Sequence, residues 1–143
     1  MPSQTIQWFP GHMAKTRRLI SDNLKNVDAV IEMRDARIPI SSKNPEIERL
    51  IQGKPRIILL NKASLADEKQ SAFWISKLNK QDTVCILTDC STGLGLSKIP
   101  TEIQRLCAAK LERYAEKGMT GRRIRAMVLG IPNVGKSSFI NKM

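Results

Sequence analysis

One octapeptide in this sequence has the spacing needed to hold a chain of phosphates. Gly130-Ile131-Pro132-Asn133-Val134-Gly135-Lys136-Ser137 fits the pattern G-x-x-x-x-G-K-S/T. Its glycines let backbone N–H groups turn inward around a polyphosphate. A helix opening at Lys136 adds the partial positive charge of its N-terminus. Asn133, Val134 and Gly135 would form the cradle, with Ser138 just behind it. Lys136 should reach the β- and γ-phosphates, and the Ser137 hydroxyl should ligate Mg²⁺. An apolar run, Arg125 to Leu129, comes immediately before the loop. Strand, loop, lysine and helix start are therefore in register, which a chance glycine-rich turn would not require.

A second pair of residues could read a base. Asn61-Lys62 follows the apolar run Pro55 to Leu60, where GTP-binding proteins carry N-K-x-D. In that element the Asn supports the loop, the Lys stem packs on the purine, and the Asp reads guanine N1–H and N2–H. Ser64 occupies the Asp position here. A third loop, Cys90-Ser91-Thr92-Gly93-Leu94-Gly95, follows the run Thr83 to Thr88 and resembles S-A-x-x-G-x-G, whose backbone also touches guanine. Cys90 and Ser91 are its candidate contacts. The order is base loop, second base loop, phosphate loop, a circular permutation of the usual one.

These loops need strands and helices to hold them. Ser3 to Met13 reads as irregular, with Pro10 and Gly11, and Ala14 to Asn26 as a basic helix with Leu19, Ile20 and Leu24 on one face. Val27 to Met33 is a strand candidate that ends before Pro39. Ser42 to about Gln52 reads as a helix stopped by Gly53. Pro55 to Leu60 is the clearest buried strand, and Asp67 is the expected N-cap of a helix over Glu68 to Asn79. Thr83 to Thr88 is a third strand. Leu96 to Lys117 is a long helix with a possible break at Pro100. Gly118 to Arg123 is a basic linker, Arg125 to Leu129 a fourth strand, and a helix opens at Lys136. Strands alternating with helices predict a parallel sheet covered on both faces, an α/β Rossmann-like P-loop NTPase fold. Residues 1–26 are expected to form an N-terminal segment and basic helix, and residues 27–143 the G domain. The sequence ends less than two turns into its last helix, which leads us to expect a fragment whose G domain is incomplete at the C-terminus.

Composition narrows the partners. Lys plus Arg number 24 against 13 Asp plus Glu, a net charge of +11 over 143 residues. That excess favours a polyanion such as RNA, DNA or an acidic membrane surface over a merely basic exterior. Lys15, Arg17 and Arg18 on the first helix, and Arg122, Arg123 and Arg125 in the linker, are the candidate phosphate contacts; a solvated helix face is the plain alternative. Cys85, Cys90 and Cys107 have no metal-ligand spacing, and an odd count without a secretory signal suits a reducing compartment. No apolar run reaches membrane-spanning length. The expectation is a cytoplasmic monomer with no membrane association.

The motif set Trp8-Phe9-Pro10-Gly11-His12-Met13, Asp35-Ala36-Arg37-Ile38-Pro39 with Asn44-Pro45, Asn61-Lys62, and Gly130 to Ser138, in that order, resembles the bacterial ribosome biogenesis GTPase A family. It is also similar to the mitochondrial GTPase 1 relatives. The resemblance runs from about Ile6 to Met143. It implies a circularly permuted GTPase domain that binds GTP and GDP with Mg²⁺. Its partner would be the large ribosomal subunit and its rRNA late in assembly. It further implies that K⁺ stimulates hydrolysis with Asn133 helping to hold the ion, and that His12 positions the attacking water in place of a catalytic glutamine. An imidazole can do so, although His12 could equally sit in a segment that only packs or touches RNA. For Asp35 and Arg37, a mutual brace of the loop is the simpler reading.

Two departures from the family pattern carry expectations. Ser64 cannot offer the paired charged acceptor that an Asp gives guanine, which should cost about 1–3 kcal/mol of guanine discrimination. Asp67 lies too far along to replace it. Switch I and the D-x-x-G of switch II do not occur in the sequence, so the 143-residue chain alone is expected to hydrolyse GTP poorly. Two other readings stay open: a basic RNA-binding module that ignores nucleotide, and a P-loop ATPase of another class.

Overall fold

Every strand pairing in the sheet is parallel. The computed structural model describes residues 3–7, 13–38, 49, 51, 53–62, 65–80, 82–118, 123–130 and 139–140. Among them, β1 (Ser3–Gln7), β2 (Ala29–Asp35), β3 (Arg56–Asn61), β4 (Thr83–Leu87) and β5 (Ala126–Gly130) lie side by side in the order β1-β5-β2-β3-β4. β2 and β5 are buried along their whole length. A strand with helices over both faces has no solvent side, so its apolar residues run almost without interruption.

The helices divide between the faces. Ala29, Ile31 and Met33 of β2, Ile57 and Leu59 of β3, and Ala126 and Val128 of β5 point one way. They meet Ile99, Ile103 and Cys107 from α3 (Ile99–Leu106) and its end, with Phe139. Ile99 and Ile103 are fully buried, and each contributes roughly 2 kcal/mol by leaving water. On the opposite face, α1 (Met13–Leu24) packs Ile20 and Leu24 on Val30, Met127 and Leu129. There too α2 (Glu68–Leu78) packs Trp74, Ile75 and Leu78 near Ile58 and Leu60. Asp67 caps α2 as expected, its carboxylate accepting from the Gln70 N–H at 3.0 Å. The predicted fold class is the observed one, a parallel sheet sandwiched by helices.

Two expectations change. The stretch from Ser3 read as irregular, but Ser3–Gln7 is an edge strand in register with β5, Ser3 opposite Ala126 and Gln7 opposite Gly130. The long helix starts as a 3-10 turn, Leu96–Lys98, that gives way to α3 just before Pro100, which lies in the first turn of α3, where the missing N–H has no helical partner to lose. A second break comes at Cys107, between α3 and α4 (Ala108–Glu116), where the buried thiol sits 4.0 Å from the Asp28 carbonyl. Charge inside the strands is a feature that the sequence reading did not raise. Glu32 and Arg34 on β2 are each only 1% exposed. Glu32 accepts from Arg34 Nε at 2.7 Å and from an Arg56 guanidinium nitrogen at 3.0 Å. The helix expected over Ser42 to Gln52 lies outside the described residues apart from Arg49, which is helical, and Ile51. No helix among the described residues is long and apolar enough to cross a membrane.

Candidate functional site

Parallel strands deliver all their C-terminal ends to one edge, where α/β sheets bind ligands. Asp35 and Asn61 face each other there across β2 and β3. Gly130, the first residue of the phosphate loop, ends β5 next to β2 at the same edge.

Asn61 ties three connections together. Its backbone carbonyl accepts from Ala36 N–H at 2.7 Å, fixing the turn after β2. Its side-chain oxygen accepts from the Thr88 hydroxyl at 3.3 Å and the Cys90 N–H at 3.2 Å, fixing the turn after β4. The side chain is buried, where unmatched donors would be costly. Lys62 follows at φ 63°, a left-handed backbone unusual outside glycine, so the chain turns sharply out of β3. Its ammonium lies 3.6 Å from Asp35 Oδ2.

Asp35 and Arg37 form the expected brace. Arg37 donates from Nε at 3.0 Å, from a terminal nitrogen at 2.6 Å and from its backbone N–H at 2.9 Å. These hydrogen bonds hold the Asp35 carboxyl below its ordinary range, outweighing the opposite push of burial. The link from Asp35 to Lys62 was not foreseen in the sequence. It joins the turn after β2 to the base loop by charge.

The loop after β4 is organised by Asp89, also missed. Its carboxylate accepts from both the N–H and the hydroxyl of Ser91. Its backbone carbonyl takes Gly93 N–H at 2.8 Å, and its N–H reaches the Leu94 carbonyl at 3.1 Å. The signal was present as an Asp two residues before a Ser, a common side-chain-to-backbone turn. Gly95 closes the loop at φ 77°, packed so tightly that a Cβ would run into the Leu87 carbonyl oxygen. Among the candidate residues, Asn61, Lys62, Cys90 and Ser91 therefore share this edge. His12, Ser64, Asn133, Val134, Gly135, Lys136, Ser137 and Ser138 lie outside the described residues.

Base-loop, second-loop and phosphate-loop strands thus share one edge in permuted chain order. No family model matches the chain. Over 139 residues it is 47% identical to Ribosome biogenesis GTPase A of Bacillus pumilus, an alignment covering 97% of this chain and 49% of that protein. The chain is a close homologue of ribosome biogenesis GTPase A. It is also 38% identical over 141 residues to Mitochondrial ribosome-associated GTPase 1 of Xenopus tropicalis, covering 98% of this chain and 44% of that one. The crystal structure of GNP-bound YlqF from T. maritima matches with a TM-score of 0.62 at 32% identity, over 90% of this chain and 47% of that one. The circularly permuted GTPase fold of YlqF is the fold of this chain. The chain spans about half the length of the ribosome biogenesis GTPase A relatives it matches.

Proposed function

We propose that this chain binds guanine nucleotide as part of a GTPase that acts on the large ribosomal subunit late in its maturation. The observation that carries the reading is the Asn61 side-chain oxygen, which locks the base loop to the loop after β4 at the edge where β5 ends in Gly130. A purine pocket needs those two loops held together beside a phosphate cradle.

In this reading the stem of Lys62 lies against the purine and the loop of Cys90 and Ser91 borders it. Ser64 takes the place of the base-reading carboxylate. The amides from Asn133 to Ser138 would cradle the phosphates, Lys136 would pair with the β- and γ-phosphates, Ser137 would hold Mg²⁺ and Asn133 would help hold K⁺. Mg²⁺, when bound, neutralises charge between the β- and γ-phosphates. His12 orients water. In its support, His12 falls in the short connection between Gln7 and Met13, and Gln7 pairs with Gly130 at the mouth of the phosphate loop. The protein acts as a monomer without membrane attachment. Its buried free thiols suit a reducing compartment, the cytoplasm in our reading.

Titration calorimetry with GDP and Mg²⁺ tests the proposal. Heat of binding that disappears in Lys136→Ala supports it. A well-folded sample that gives no heat, yet binds rRNA, would instead support the second reading of a nucleotide-independent RNA module, which the +11 charge favours.

A further inference from the structure

A concave feature lies at the opposite edge of the sheet, where the strands begin. There the chain turns through Gly53 at φ 80° into Lys54, and Arg56 and Thr83 open β3 and β4 side by side. Lys54, Arg56, Lys80, Asp82 and Thr83 line a cleft of about 180 Å³. Three cations and one carboxylate line it, and Arg56 also gives a guanidinium nitrogen to the buried Glu32 at 3.0 Å.

The cleft is built rather than incidental. Lys80 and Thr83 exchange backbone hydrogen bonds at 2.8 and 3.3 Å, which fixes the turn carrying Lys80. The Thr83 hydroxyl turns to Asp82 at 3.4 Å. Lys54 gives its ammonium to the Val27 carbonyl at 2.7 Å, a neutral acceptor. The carboxylate nearby, Asp28, is already held by Lys110 at 2.8 Å and by the Arg125 N–H at 2.9 Å. Burial, and then repulsion from Lys110, depress the affinity of Lys54 for its proton. An anion entering here would meet the ammonium groups of Lys54 and Lys80, beside an Arg56 that it would share with Glu32.

We propose that this cleft seats a backbone phosphate of RNA, with Lys54, Arg56 and Lys80 as its contacts. A polyanion fits better than a single ion because the positive charge continues along the edge. Arg125 precedes β5 and Asp28, paired with Lys110, precedes β2, so Lys80, Arg56, Lys54, the Asp28–Lys110 pair and the exposed Arg123 and Arg125 follow one another from β4 toward β5. Neighbouring strands are about 4.8 Å apart, so the row extends over roughly 15 Å, enough to meet successive phosphates. RNA would then be gripped at the edge away from the nucleotide. The inference rests on the reading of an rRNA-bearing partner given above.

The test is fluorescence anisotropy of a labelled oligouridylate of about 20 nucleotides between about 50 and 200 mM KCl. Lys80→Glu should weaken binding roughly tenfold at the lower salt, and Lys54→Gln with Lys80→Gln should flatten the log–log salt slope by about 1.4, two contacts' worth on a single strand. GDP calorimetry on the same samples should be unchanged. Wild-type affinity and slope in both variants would overturn the inference. So would an equal loss in Lys25→Glu, which changes net charge elsewhere, or displacement of the RNA by low-millimolar orthophosphate, which would make the cleft a site for the free ion. If Arg18→Glu abolishes RNA binding while Lys80→Glu does not, the ribosomal reading stands and the cleft inference fails.

Discussion

The side-chain oxygen of Asn61 accepts the backbone N–H of Cys90, 29 residues further along, at 3.2 Å. It also serves the fully buried Thr88 hydroxyl. Asn61→Ala removes the acceptor that both donors use, so it should cost roughly 2–4 kcal/mol in urea denaturation and lower guanine-nucleotide affinity with it. A variant as stable as the parent would show that the two loops are held by something else.

Glu32 is the carboxylate shared by Arg34 and Arg56 inside the sheet. Removing it leaves two guanidiniums without that partner, one of them fully buried. Glu32→Ala should therefore lose about 3–5 kcal/mol, far more than an ordinary surface change. A loss below about 1 kcal/mol, the range of exposed ion pairs, would mean that water reaches the cluster.

Gly95 has a left-handed backbone and faces the Leu87 carbonyl. Gly95→Ala should shift the loop after β4 and cost at least about 1–3 kcal/mol. Its effect on GDP affinity should exceed that of Gly93→Ala, since Gly93 shares the positive φ but has open space around it. Equal effects of the two changes would argue against close packing at Gly95.

Burial pushes the Cys85 thiol above its ordinary 9.0 to about 12. The folded state keeps that proton after the unfolded chain has lost it, so stability is intact below pH 9 and declines toward pH 12. The limiting slope is about 1.4 kcal/mol per pH unit for this one group. Burial raises Cys107 in the same direction. Cys85→Ala should flatten the alkaline decline in a pH series of thermal melts, and an unchanged slope would count against the shift.

Ser64→Asp should restore selectivity for GTP over ATP by roughly 1–3 kcal/mol. Competition binding with GTP, ATP and XTP measures it. Equal guanine preference in both proteins would mean that serine already suffices.

The parts legible in the sequence were those decided by neighbouring residues. Asp67 caps α2 because its carboxylate reaches an N–H three residues on, and β3 declares itself as an unbroken aliphatic run. Asn61 and Lys62 stood out by type and place, and Asp35 and Arg37 by their adjacency. What escaped depends on residues distant in the chain. Ser3–Gln7 has one large apolar residue in five and becomes a strand only because β5 offers its edge. Glu32 and Arg34 interrupt an apolar run, and nothing local says that Arg56 will arrive to share the charge. Pro100 marks the change from a 3-10 turn to α3, but the second interruption comes at Cys107, whose burial against β2 is a tertiary fact. The link between Lys62 and Asp35 likewise exists only once β2 and β3 are paired.

The strand order has a further consequence for how the molecule is made. Among the described strands β5 comes latest in the sequence, yet it lies between β1, the earliest, and β2. During vectorial synthesis β2, β3 and β4 can zip together early, while β1 waits through more than a hundred residues for β5, its neighbour among the described strands. Closing so long a loop is slow, and the flank of β2 awaiting β5 stays bare meanwhile. A nascent chain paused before Ala126 should therefore be the species that chaperones hold longest and proteases cut first.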